Sequence, residues 1–90
     1  MEHKLTKFQI TIWEKLQPKI KKNPYEVKFN FDDEFVITQT IGDKSFIITV
    51  FTKEEILLTL NESDWKTSST IFGKKDIDKF MNKLEELIGN

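Results

Sequence analysis

Ninety residues carrying a net charge of −1, 38% of them apolar, describe one small globular domain spanning residues 1–90, not a disordered chain or a two-domain enzyme with a deep cleft. Cys, Arg and Ala are absent, which excludes disulfides, thiolate metal sites and the planar Arg fork that reads guanine edges and clamps phosphates. All fourteen basic residues are Lys, and the Lys-, Asn-, Ile- and Phe-rich composition fits an AT-rich coding genome, as in a bacterial or phage-encoded accessory protein.

The chain opens on a helix. Leu5, Phe8, Ile12, Trp13, Leu16 and Ile20 recur at helical spacing on one face, with Lys4, Lys7, Thr11, Lys15 and Lys22 opposite. Thr6 followed by Gln9 is a capping-box pattern. Pro18 is expected to kink this helix or end it at Gln17, because it lacks a backbone donor.

From Tyr25 the period changes to two. Tyr25, Val27, Phe29 and Phe31 alternate as one face of a first strand, and Asp32-Asp33-Glu34 turns the chain. A three-residue loop there pairs Phe31 with Phe35 and Phe29 with Ile37. Gly42-Asp43 forms a second hairpin turn, and Phe46, Ile48 and Val50 continue the apolar face on a third strand. Thr52-Lys53-Glu54 turns again into a fourth strand bearing Ile56, Leu58 and Leu60, although Thr52-Lys53-Glu54-Glu55 is also a helix-start pattern over 53–60. A shorter fifth strand is expected from Trp65 to about Ile71.

The chain ends in a second helix, where Ile77, Phe80, Met81, Leu84, Leu87 and Ile88 form an apolar stripe. The fold class is therefore α+β: an N-terminal helix, an antiparallel β-meander of four to five strands and a C-terminal helix, with both helices packed on one sheet face.

That arrangement leaves the other face of the sheet without a cover. It carries Glu26, Lys28, Val36, Thr38, Thr40, Ile47, Thr49, Phe51, Leu57 and Thr59, a Thr-rich strip with apolar residues among them. Thr38, Ile47, Thr49, Phe51 and Leu57, together with Trp65 after the acidic turn, are the candidate partner-binding residues.

Catalytic constellations are missing. His3 is the sole histidine and sits at the first residues of the chain, where a rigid triad or zinc site cannot be built around it. The acids cluster in turns (Asp32-Asp33-Glu34, Glu54-Glu55, Glu62 and Asp64), where acids are ordinary loop residues, and Gly73-Lys74-Lys75 lacks a phosphate cradle. No cofactor and no metal are expected.

Charge is unevenly divided. Residues 1–28 hold seven Lys against three acids, and residues 29–65 hold two Lys against eight acids. The resulting expectation is a non-enzymatic protein-interaction module, an inhibitor, regulator or adaptor, using the open sheet face and acidic loops. The alternative is a nucleic-acid-binding accessory using Lys7, Lys15, Lys19 and Lys22 of the first helix, disfavoured by the negative net charge and the lack of Arg. A homo-oligomer is compatible with either. No apolar run exceeds three residues, so neither a signal peptide nor a membrane span is expected and the location reads as cytoplasmic.

Overall fold

The computed structural model describes residues 5–21, 24–30, 33–62 and 66–88. Helix α1 (Lys7–Ile20) leads into strands β1 (Tyr25–Phe29), β2 (Phe35–Ile41), β3 (Lys44–Val50), β4 (Glu55–Asn61) and β5 (Thr67–Gly73). A 3-10 turn (Lys74–Asp76) then opens helix α2 (Ile77–Ile88). The strands form one open antiparallel sheet in sequence order β1-β2-β3-β4-β5, and both helices pack on one of its faces.

α1 begins where its sequence pattern places it. The Thr6 hydroxyl accepts from the Gln9 backbone N–H, and the Gln9 side chain accepts from the Thr6 N–H, completing the capping box. The helix does not stop at Gln17: it runs through Pro18 to Ile20. Pro18 lies in the last turn and is exposed, so only one intrahelical bond is lost, while burial of Leu16 and Ile20 holds that turn against the sheet.

The hairpins follow local backbone chemistry. Gly42, at φ +61°, takes the first central position of the two-residue β2–β3 loop, as a type II′ turn requires. The β1–β2 and β3–β4 loops are alike: Asn30 N–H donates to the Glu34 carbonyl and Phe51 N–H to the Glu55 carbonyl, with Asp33 (φ 58°) and Glu54 (φ 63°) in the left-handed region just before closure.

This geometry corrects the expected first register. Phe29 opposes Phe35 and Val27 opposes Ile37, whereas Phe31 lies outside the described residues. Asp33 tolerates the left-handed conformation and occupies the last loop position, so the loop closes one residue earlier than expected. The register moves by two, which leaves every side chain on its original face. Residues 55–61 are strand and not helix, and the fifth strand is Thr67–Gly73, shifted past the expected start at Trp65.

The core is a sandwich of helix stripes on sheet rows. Phe8, Ile12, Leu16 and Ile20 of α1 and Phe80 and Leu84 of α2 cover Phe35, Ile37, Ile48, Val50, Ile56, Leu58 and Phe72. Each such side chain contributes roughly 1.5–3 kcal/mol on burial. Phe72 and Phe80 meet edge to face at 5.5 Å. The cover does not extend to β1. Tyr25, Val27 and Phe29 point to the helix side, yet remain 37%, 39% and 42% exposed, because β1 is an edge strand that α1 covers only in part, through Trp13.

Candidate functional site

Strand alternation and register together define the face turned away from the helices. Three rows cross it: Lys28–Val36–Thr49–Leu57–Ile71, Glu26–Thr38–Ile47–Thr59–Ser69, and Thr40–Ser45–Asn61–Thr67. The described helices both lie on the opposite face. Thr38, Ile47, Thr49 and Leu57 therefore share one surface. Phe51 lies at one end of it, one step beyond Thr49, with the Lys53 ammonium 5.3 Å from its ring centroid. Trp65 is outside the described residues.

The polar groups of the surface are largely satisfied within it. Thr59 and Ser69 hydroxyls pair at 3.3 Å, and the Thr67 hydroxyl donates to the Asn61 Oδ1 at 3.0 Å. The Lys28 ammonium lies 3.6 Å from the Glu26 carboxylate along β1. Thr49, central in its row, is only 9% exposed, whereas Ile71 at the β5 end of the same row is 62% exposed. Ile71 was not among the residues singled out from the sequence. Its signal was the β4–β5 register, which sets it opposite Leu57.

The acidic loops are less bare than their sequence reads. Glu54 lies 3.3 Å from Lys74 and Glu55 lies 3.4 Å from Lys53. The Lys face of α1 is divided in the same way. Lys7 and Lys15 are exposed, Lys19 is half-buried and ion-paired with Glu85 of α2, and Lys22 lies outside the described residues. Among the described residues no group of three or more His, Cys, Asp or Glu side chains could hold a metal ion, and no helix is long and apolar enough to cross a membrane.

A second surface feature lies on the helix side, at the β1 edge. Leu5 and Trp13 of the N-terminal segment face Val27, Phe29 and Phe35 across an apolar groove of 270 Å³. Trp13 stands edge-on to Phe35 at 6.2 Å and tilted to Tyr25 at 6.3 Å, while Phe29 meets Phe35 at 6.5 Å. This aromatic strip is a consequence of the uncovered first strand, and alternation alone had assigned it to the core.

No protein-family model, no curated protein and no solved structure matches the chain.

Proposed function

We propose that this chain is a single-domain, non-enzymatic protein-interaction module, an inhibitor, regulator or adaptor, that docks another protein on its open sheet face. The supporting observation is the row Val36–Thr49–Leu57–Ile71, which ends on an isoleucine 62% exposed and has no described helix over it. One strand of five residues and four of seven, about 4.8 Å apart, offer roughly 400–500 Å², enough for one side of a modest interface. The face presents apolar side chains among hydroxyls and little charge, so the partner it fits is a flat protein surface of the same mixed character, with complementary charge needed only at the rim. We place the module in the cytoplasm, where a cysteine-free chain forgoes nothing by lacking disulfides.

The test is capture from a lysate of the source cell with tagged wild-type protein, with and without nuclease, alongside Ile71→Lys and Thr49→Lys. A protein retained after nuclease and lost with both variants, each shown folded by circular dichroism, supports the open face. Equal capture by both variants removes the face from consideration. Capture that disappears with nuclease, or with Lys7→Glu and Lys15→Glu, moves the function to nucleic-acid binding by α1.

A further inference from the structure

We propose that the outer edge of β5 receives an extended, acid-flanked segment of a partner protein as a sixth, antiparallel strand. This inference concerns the backbone of the edge and does not rest on the open-face reading.

The phase of β5 follows from one bond just before its start. Glu62 N–H donates to the Lys66 carbonyl at 2.8 Å, so Glu62 and Lys66 form a hydrogen-bonded pair of the antiparallel ladder. The register carries that phase to Ser68, Thr70 and Phe72, which spend their backbone groups on Leu60, Leu58 and Ile56. Thr67, Ser69 and Ile71 therefore turn their N–H and C=O groups outward, where no described strand pairs with them. An antiparallel strand laid there gains about six backbone bonds. Access is open on both sides of the strand. Residues 67–71 are all exposed, and α2 packs on β5 only further along, at Phe72.

Sheet edges are ordinarily guarded by charges or Pro within the strand. β1 has Glu26 and Lys28 in mid-strand, whereas Thr67-Ser68-Ser69-Thr70-Ile71-Phe72-Gly73 has neither charge nor Pro. The lysines stand just outside it, with Lys66 before the strand and Lys74 and Lys75 after it, all exposed. That placement selects the occupant. Fully overlapped antiparallel pairing of β5 with β5 of a second copy, centred on Thr70, sets Lys66 against Lys74 at both ends and is opposed by like charge. A segment with an acid at each end meets opposite charge at the same two places. Lys74 lies 3.3 Å from Glu54, but the two side chains are 69% and 47% exposed, so this pair holds Lys74 only weakly. Between its acids the segment needs strand-forming residues: an apolar one beside the exposed Ile71, and hydroxyl-bearing ones beside Ser69 and Thr67.

The probe is a synthetic nine-residue peptide of alternating Val and Thr with two acidic residues at each end. It is titrated into the isotope-labelled full chain, and amide hydrogen exchange is read by NMR. In the free chain the amides of Thr67, Ser69 and Ile71 are expected to exchange fast, and those of Ser68, Thr70 and Phe72 slowly. Saturating peptide should slow the first three at least about tenfold, with a Kd on the order of 0.1 mM at low salt. Methylating the peptide nitrogens that face β5 removes its donors and keeps its charge, and should weaken binding at least about tenfold. Replacing its acids with Lys should weaken binding as much, and the double variant K66E/K75E, changed at two exposed positions, should prefer the Lys-ended peptide. Outward amides already protected in the free chain overturn the proposal, because another segment or a second copy then holds the edge. No binding at millimolar peptide overturns it as well, as does equal binding of the acid-ended and Lys-ended peptides. Binding that leaves the three outward amides unprotected, or that ignores the methylation, also overturns it while leaving the open-face reading standing.

Discussion

Gln39 of β2 donates its Nε2 hydrogen to the carbonyl oxygen of Ile20, 3.0 Å away, at the last residue of α1. A second buried amide mirrors it at the other end of the helix. Gln9 Nε2 donates to the carbonyls of Val50 and Asp33, both at 3.0 Å, while Gln9 Oε1 closes the capping box with Thr6. Two glutamines thus fasten the two ends of α1 to the sheet, in an interface otherwise built from aliphatic and aromatic side chains. Apolar contact is non-directional and tolerates sliding of helix over sheet, whereas these bonds have one solution.

Removing either amide leaves buried carbonyl oxygens without that donor. Gln39→Met keeps the volume and is expected to lower unfolding free energy by about 1–3 kcal/mol. Gln9→Met severs two such bonds and the side-chain half of the capping box, and should be the more damaging of the two, with Thr6→Ala smaller at about 1 kcal/mol. Urea denaturation of the three variants gives the order directly. A Gln9→Met no worse than Thr6→Ala would mean that the bonds to Val50 and Asp33 contribute little.

Gln39→Glu adds a pH signature. Only the protonated carboxyl can donate to Ile20, and burial at 2% exposure disfavours the charged form, so the folded-state pKa of the introduced group is raised. The variant should therefore be closest to wild type below about pH 4 and fall progressively behind as pH rises through the raised value. Denaturation of both proteins across pH 4–8 measures it, and a stability difference independent of pH would refute the account.

Glu54 holds φ 63° in the β3–β4 loop, a conformation unfavourable for a side chain with no local hydrogen-bonding mimicry. Glu54→Gly removes that strain and is expected to stabilise by up to about 1 kcal/mol, a shift of a few degrees in Tm. The lost contact with Lys74 is exposed and subtracts little. Asp33→Gly should give less, since Asp adopts this region more readily.

Ile71 and Ile37 test the two faces against each other. Ile37→Ala empties a fully buried position and should lower stability by about 2–5 kcal/mol, a large part of the 5–15 kcal/mol typical of a domain. Ile71→Lys, at an exposed position, should stay within about 0.5 kcal/mol. Thermal melts of both variants suffice. A strongly destabilised Ile71→Lys would show that side chain to be structural.

The amino-acid sequence by itself determined the elements and the two faces of each strand. Alternation has period two, so the face assignment of Phe35, Ile37 and Val50 survived a register that moved by two at the first hairpin. The capping box of Thr6 and Gln9 and the apolar stripe of α2 were legible for the same reason: they are patterns over a few consecutive residues. The tertiary structure alone decided which faces are covered. Tyr25, Val27 and Phe29 carry the same alternation as the core strands, yet they lie on an edge that the two short helices cover only in part. Ile71 emerged as the most exposed large apolar residue among those described only once β5 was paired with β4. The bonds of Gln9 to Val50 and of Gln39 to Ile20 gave no usable signal, because these partners lie 41 and 19 residues away along the chain. Local propensity acts over a turn or a hairpin, while burial and long-range hydrogen bonds depend on what the assembled layers bring together.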